Sequence, residues 1–374
     1  MSLVSVVVVG GGLAGLTSSL HLSRLGIDVT LVEKNDFPRH KVCGEYLSNE
    51  VLPYLNFLGI DPFEKGAKKI RNFEMSSVGG TSVKAKLPLG GFSISRYSLD
   101  EMMLLKAKDQ GVVVLQDTVL NIEFKEDQFI LSLKNNENLN AVFVIGAYGK
   151  RSILDQKLNR SFFKSKAPFL AVKSHFKGEY PEDLVGLHHF YGGYCGVSNV
   201  EGNRINICYI TEYDQFKKYK NIEEFQQKIM HQNGVLKKIL ENSEPTFEKP
   251  ITISQISFAK KQLVEHHILM SGDSAGMIHP LSGNGMSMAI RSAKIISELI
   301  GQYFNESISR SELEKQYEKE WNKTFKLRLR IGRVLASLFR MKKLTLFSIG
   351  QLKKFPNLLS TIIRMTHGKL IETA

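Results

Sequence analysis

Cysteine and tryptophan are scarce in this chain. There are three cysteines (Cys43, Cys195, Cys208) and a single tryptophan, Trp321, among 374 residues. The cysteines form no CxxC pair. That argues against a disulfide framework, a dithiol redox centre and a zinc site, so no metal is expected and the setting reads as a reducing cytoplasm. No apolar run reaches the ~18–20 residues of a membrane-spanning helix. The first apolar run, Leu3 to Val9, has no basic stretch before it and meets three glycines at once. It therefore reads as a strand and not as a signal peptide. Acidic residues are missing from one region: Asn322 to Leu370 holds twelve Lys or Arg and no Asp or Glu. Without those twelve, 38 basic residues face 37 acidic ones, so the net charge of +13 belongs to the C-terminal segment. A nucleic-acid footprint would spread over a binding face, and no nucleic-acid partner is expected.

What is present is an alternating α/β pattern. Val4–Val9 is a β-branched run of the kind buried on both faces of a parallel sheet. A glycine turn and a helical stretch through Leu25 follow, then the strand Ile27–Val32, which ends at Glu33. This is a βαβ start. Helices are predicted near Asn49–Leu58 and Leu99–Gln110, and short strands near Val112–Leu115, Val119–Phe124 and Phe129–Leu133. From about Phe162 to Phe258 the chain turns strand-rich (Phe169–Phe176, Val185–Phe190, Ile205–Ile210), with one helix near Ile222–Leu240. A strand at Ile268–Met270 and a helix from Asn284 to Ile300 return to the first pattern, and the remainder is helical and basic.

Two motifs carry most of the chemistry. The first is Gly10-x-Gly12-x-x-Gly15, with Glu33 eighteen residues beyond Gly15. The glycines allow a tight turn and a close backbone approach to a pyrophosphate. The helix that follows offers free N–H groups and a positive dipole end, and the acid accepts from a ribose hydroxyl. The bland reading is a structural glycine turn, but strand, helix and acid all stand where a dinucleotide site needs them. NAD and FAD are not distinguished at this point. The second motif is Gly272-Asp273-Ser274-Ala275-Gly276, followed by Pro280, Gly283, Asn284 and Gly285. Its bland reading is an acidic loop before a buried helix.

In these two motifs, in this order, the chain resembles the FAD-dependent oxidoreductases that include para-hydroxybenzoate hydroxylase and geranylgeranyl reductase. Two further segments match that family. One is Arg96-Tyr97-Ser98-Leu99-Asp100, where the family's arginine helps hold FAD; a helix cap at Ser98 or Asp100 is the alternative. The other is the loop Pro38 to Ser48 containing Cys43-Gly44, which is similar to the flavin-crossing loop of geranylgeranyl reductase-like proteins. A small buried side chain is the alternative for Cys43. The resemblance implies that Asp273 binds the ribityl chain and that the Gly283–Gly285 turn meets the N1–C2=O edge of the flavin, where a helix N-terminus favours negative charge. It implies FAD contacts from Gly10, Gly12, Leu13, Ala14, Gly15, Glu33, Lys34, Arg39, Cys43, Gly44, Arg96, Val119, Asp273, Gly283, Asn284 and Gly285. The implied fold is an α/β, Rossmann-like FAD-binding domain (1–160 and 259–305), with an inserted β-rich substrate domain (161–258) and a C-terminal basic helical segment (306–374).

The chain also departs from the family. Gly146-Ala147-Tyr148-Gly149 stands where many of its hydroxylases carry Ala-Asp-Gly, and Tyr148 replaces the acid linked to nicotinamide contacts. No second GxGxxG follows a strand, so a separate NAD(P)H domain is not expected, and electrons come from a transiently docked NAD(P)H or from another electron carrier. The Tyr-x-Trp-x-Phe-Pro signature of geranylgeranyl reductases is reduced to Gly193-Tyr194-Cys195-Gly196-Val197-Ser198, and the Trp-x-Trp of flavin halogenases is absent. The leading expectation is thus a flavin monooxygenase acting on a hydrophobic aromatic or polyketide-like lipid. It needs no side-chain nucleophile, because the cofactor does the hard chemistry while the protein excludes water and orients the substrate. Cys43, His189 and Tyr194 are its candidate catalytic or steering groups; a packed histidine is the bland reading of His189. An ene-reductase of an isoprenoid chain is the second reading. A non-catalytic FAD-binding electron carrier, supported only by Tyr148, is the third. The basic tail interleaves Leu327, Leu329, Ile331, Val334 and Leu335 with Arg328, Arg330 and Arg333. This suits peripheral contact of 322–370 with an anionic membrane. Helices packed on the FAD domain with a solvated basic face explain it equally well.

Overall fold

The computed structural model describes residues 3–164, 168–279, 283–340 and 342–373. Pro280 of the late motif lies outside the described residues. One sheet runs in the order Val264–Glu265, Ile268–Met270, Leu139–Gly146, Leu3–Val9, Val29–Glu33, Val113–Gln116. From Ile268–Met270 to Val113–Gln116 all neighbours are parallel. Val6, Val7 and Val8 are wholly buried, as a strand covered on both faces requires. The hairpin Val119–Lys125/Gln128–Leu133 pairs antiparallel with Leu139–Gly146. Helix Leu13–Arg24 packs on helices Arg96–Asp109 and Gly285–Phe304.

The second sheet has nine strands. The segment expected as the insertion, 161–258, supplies Phe169–Gly178, Leu184–Phe190, Gly193–Val200, Arg204–Glu212, Ser243–Pro245 and Ile251–Ile256. Three strands come from earlier in the chain: Tyr46–Ser48, Lys68–Ser76 and Ser82–Ser93. They join because Lys68–Ser76 lies parallel to Leu184–Phe190, a pairing across more than a hundred residues that local pattern does not announce. The helix expected over Ile222–Leu240 is two helices, Ile222–Lys228 and Gly234–Glu241. Asn233 breaks it: its Oδ1 accepts from the N–H groups of Val235 (3.0 Å) and Leu236 (3.3 Å) and so starts the second helix.

Strand alternation gives this sheet two apolar faces. Val172, Cys195, Val197, Ile207 and Tyr209 pack with Phe225, Met230 and Leu236 of the helices just named. Ala171, Leu187, Tyr194 and Ile210 face the other way. There they meet Ile349, Leu352, Leu359 and Ile363 from helices Lys342–Lys354 and Pro356–Thr366. The C-terminal helices therefore roof the second sheet as well as packing on the parallel-sheet core through Leu313, Tyr317 and Phe325 of helix Arg310–Arg340.

Candidate active site

The glycine loop is built for close approach. Gly10 has φ +108°, and a Cβ there would lie 2.5 Å from the Ala147 carbonyl oxygen. A Cβ on Gly15 would lie 1.9 Å from the Gly10 carbonyl oxygen, so only hydrogen fits. Gly12 is the opposite case: a Cβ there would meet nothing within 4 Å. It is also the N-cap of helix Leu13–Arg24, with no side-chain cap and no acid in the first turn. The helix start is left with free N–H donors facing open space. Leu13 and Ala14 are buried beneath it. Glu33 Oε2 accepts from the Gly11 N–H at 2.8 Å, and Oε1 accepts from the Asn35 N–H at 2.9 Å. Burial opposes ionisation of Glu33, but the hydrogen bonds from Asn35 and Gly11 and the charge of Arg39 outweigh it and hold the carboxyl below its usual range. Arg39 reaches Glu33 at 3.4 Å, while its Nε is buried without a hydrogen-bond partner among the described residues. Lys34 is exposed, and Val119 is a core residue at the start of its strand.

The late motif arrives beside this loop. The Ser271 N–H donates to the Gly146 carbonyl at 3.0 Å, and the Gly149 N–H to Ser274 Oγ at 2.9 Å. Gly272 has φ +62°; a Cβ there would lie 2.9 Å from Ala14 Cβ and 3.5 Å from Ala289 Cβ. The turn bearing Asp273 is thus wedged between the two glycine-opened helices. Its backbone is pinned by two buried cations that the sequence reading did not single out. Lys261 Nζ donates to the Asp273 carbonyl at 2.6 Å and to that of Lys150 at 2.8 Å. Arg160 donates to the Ser274 carbonyl at 3.0 Å and pairs with Asp155 at 2.9 Å. The Asp273 carboxyl itself receives no hydrogen bond among the described residues. Burial raises its pKa, against the opposing charges of Lys261, Arg96 and Lys150. Asn284 caps helix Gly285–Phe304 without a side-chain cap bond; its Nδ2 donates instead to the Thr366 carbonyl at 2.9 Å. Gly283, at φ +61°, would bring a Cβ to 3.6 Å from the Tyr46 ring.

Arg96 lies between the two motifs. It forms a bidentate pair with Asp100 at 2.7 and 2.8 Å. Lys41 bonds the same carboxylate at 2.7 Å and the Gly11 carbonyl at 3.2 Å, which ties this pair to the glycine loop. Glu45, at φ +54°, accepts from the Arg96 N–H at 2.8 Å, from His175 Nε2 at 2.7 Å and from the Lys173 ammonium. Glu45, Lys173 and His175 are fully buried. His40 joins them, with ligand atoms of His40, Glu45 and His175 within 4.8 Å of one another. No metal centre is expected from sequence, and the Lys173 ammonium on the same carboxylate opposes a cation here. Cys43 and Gly44 precede this cluster. Asn206 Nδ2 donates to the Cys43 carbonyl at 3.2 Å, which links the loop to the second sheet. Burial pushes the Cys43 thiol above its ordinary pKa, and a Cβ on Gly44 would meet nothing within 4 Å.

His189 and Tyr194 are cross-strand partners and share the sheet face that the C-terminal helices cover. Tyr194 is 7% exposed, its pKa is raised by burial, and its hydroxyl has no hydrogen-bond partner among the described residues. Its ring lies 5.9 Å from that of His279, in the loop joining Asp273 to Gly283. Phe258 stands 4.6 Å from His279 and 5.5 Å from Phe169. An aromatic cluster with one orphaned phenol therefore adjoins the late motif. Tyr148 packs on Met270, with its hydroxyl 3.3 Å from the sulfur.

A dinucleotide needs donors for its phosphates, acceptors for its sugar hydroxyls and a peptide edge for its ring. The chain offers two uncapped helix starts at Gly12 and Gly285, acceptors at Glu33 and Asp273, the unsatisfied Arg39 Nε, and free space over Gly12 and Gly44. These residues fit FAD. Fold and site together define an FAD-dependent oxidoreductase. The family described as FAD binding domain matches residues 3–326, and the chain belongs to it. Among curated proteins, digeranylgeranylglycerophospholipid reductase 1 of Methanothermobacter thermautotrophicus is 26% identical over 337 residues, 84% of this chain and 81% of that protein. Among solved structures, the flavin-dependent brominase Bmp2 superposes with TM-score 0.80 at 18% identity, covering 98% of this chain and 93% of that one. A geranylgeranyl bacteriochlorophyll reductase-like protein of Thermoplasma acidophilum gives TM-score 0.74 at 18% identity, covering 95% and 91%. The two structural likenesses bear on the fold.

Proposed function

We propose that the chain is a flavin monooxygenase that hydroxylates an aromatic or polyketide-like ring carrying an apolar chain. The observation that carries this reading is the buried Tyr194 hydroxyl, left without a partner among the described residues in an aromatic cluster with Phe169, Phe258 and His279. A buried phenol lacking a partner costs about 1–3 kcal/mol, which a substrate hydroxyl would recover by bonding to it. His189, across the strand, would help orient the same group. When bound, FAD supplies electron acceptance from a nicotinamide and the activation of oxygen. The protein's residues have narrower tasks. Gly12, Gly285, Glu33, Asp273 and Arg96 hold the cofactor, the aromatic cluster orients the ring, and the roof of Ile349, Leu352, Leu359 and Ile363 keeps water out. NAD(P)H is the proposed electron donor, docking transiently.

A second reading, reduction of an alkene in an isoprenoid chain, is favoured by one observation. The Cys43-Gly44 loop is tied to the second sheet by Asn206, which places a thiol and the Tyr194 phenol as candidate proton donors to a reduced double bond. The name of the Methanothermobacter relative points the same way. Two measurements separate the readings. Anaerobic mixing with NADH or NADPH, followed by flavin bleaching, tests the donor. Oxygen uptake stoichiometric with product supports hydroxylation, whereas product formed without air supports the reductase.

The proposed setting is the cytoplasm, with peripheral contact between 322–370 and an anionic membrane. Among the described residues no helix is long and apolar enough to cross a membrane. Deleting Leu344–Ala374 would also strip Ile349, Leu352, Leu359 and Ile363 from the core, so surface substitutions test this contact better.

A further inference from the structure

Helix Pro356–Thr366 carries one wide apolar face, buried along one edge and exposed along the other. Leu359 and Ile363 point inward, into the cluster that covers the second sheet. On its outer side Leu358 is 47% exposed and Met365 48%, with Phe355 at its start 60% exposed. Residues 355, 358 and 365 fall on one stripe of a 3.6-residue helix, with the half-buried Ile362 between them. Around this stripe stand Lys353, Lys354, Arg364 and Lys369, all exposed. Among the described residues none of these four makes an ion pair, unlike Arg291 and Arg328 of the same region, which face the buried Glu50. A solvated helix would carry polar groups here; instead the stripe is apolar with an unpaired cationic rim.

Beside the helix lies a narrow crevice of ≈ 20 Å³. The bend Pro88–Leu89–Gly90 of strand Ser82–Ser93 forms one wall, and Ile363, Arg364 and His367 form the other. Leu89 is exposed at its lip. Tyr46 lies within the crevice, its hydroxyl 3.4 Å from His367 Nε2 and its ring against Gly283. The crevice thus opens from the apolar outer surface onto Tyr46, whose ring adjoins Gly283 of the late motif.

We propose that this outer face seats on an anionic lipid surface and that the crevice is the lateral entrance by which the apolar chain of the substrate passes from the bilayer to the site. This rests on the reading of an apolar-chain substrate given above. Apolar side chains gain by entering the acyl boundary, and each basic residue at an anionic surface strengthens partitioning by on the order of fivefold. In its present width the crevice admits no chain, so entry needs the helix to move outward. The apolar area that such a movement uncovers is favoured at a lipid surface and opposed in water.

The test is flotation of the full, FAD-loaded chain with vesicles of phosphatidylglycerol and phosphatidylcholine, against pure phosphatidylcholine, with no substrate present. The protein is expected to float with the anionic vesicles only. L358E/M365E should lower the bound fraction at least tenfold, and K353E/K354E by a similar factor, with bound flavin retained in both. As a second readout, Leu89→Trp should be quenched by lipids brominated in their acyl chains, while the buried Trp321 of the parent should not. Absence of flotation, flotation unchanged in both variants, an unquenched tryptophan at position 89, or a dimer through this stripe in place of vesicle binding overturns the proposal. Oxygen uptake tests the reaction separately, so either can fail alone.

Discussion

Gly272 stands against Ala14 so closely that a side chain on the glycine would reach within 2.9 Å of the alanine methyl. Its left-handed φ of +62° adds a second reason for glycine. The contact couples the turn bearing Asp273 to the helix opened by Gly12. Gly272→Val should therefore destabilise the fold by about 1–3 kcal/mol. It should also weaken FAD at least tenfold, read by flavin fluorescence titration. Undiminished affinity in a folded variant would show that the two motifs act separately.

Glu33 predicts a pH dependence. Its carboxyl is depressed in the folded state by the hydrogen bonds from Asn35 and Gly11 and by Arg39, despite burial acting the other way. Its contribution is complete above the unfolded carboxylate range, around pH 4–5, and is lost as pH falls through the lower folded value. Glu33→Ala leaves the Gly11 and Asn35 N–H groups unpaired and should cost about 1–3 kcal/mol at pH 7. In thermal melts the gap from wild type should narrow as pH falls to about 3. A gap of constant size from neutral to acid pH contradicts this.

The buried pair of Glu45 and Lys173 predicts non-additivity. Glu45→Gln leaves the Lys173 ammonium buried without a counter-charge, at a cost of about 3–5 kcal/mol in urea unfolding of the FAD-loaded protein. The double variant E45Q/K173M should recover part of that loss. Additive losses would mean that the two groups do not sense each other.

Tyr194→Phe separates stability from function. The hydroxyl has no partner among the described residues, so its removal should leave the melting temperature unchanged or slightly higher. If the phenol holds a substrate hydroxyl, the same variant should raise KM by about tenfold, one hydrogen bond's worth. It should also lower product formed per oxygen consumed. A variant with lower melting temperature and unaltered coupling would make Tyr194 a packing residue.

The legible parts of this chain are those whose causes are local. Gly10, Gly12 and Gly15 could be read because a phosphate turn demands glycine at fixed spacing beside a strand and a helix. Asp273 and Gly283–Gly285 were readable through their likeness to a known family. Strand Ser82–Ser93 was not, because Pro88, Gly90 and Gly91 break the alternation that marks a strand, and Lys68–Ser76 was not, because its apolar residues Ile70, Phe73 and Met75 do not alternate. Strand Gly193–Val200 was missed for a similar reason: Gly193 and Gly196 leave gaps in its pattern. Glu45, Lys173, His175, Lys261 and Arg160 carry no spacing signal, since each acquires its role from a partner distant in sequence. The C-terminal helices were legible as basic and amphipathic, but their inward face meets the second sheet, a destination only the tertiary structure assigns.

The most direct test of the account is the flavin content of the purified chain, read from its visible spectrum before and after incubation with FAD, for the parent, Gly12→Val and Asp273→Leu. The account predicts one FAD per parent chain and a loss of at least tenfold in affinity for each variant, although the two positions lie at opposite ends of the fold's sequence. A folded parent that stays colourless with excess FAD, or variants that bind it as the parent does, would contradict the convergence of the two glycine-opened helices on one cofactor.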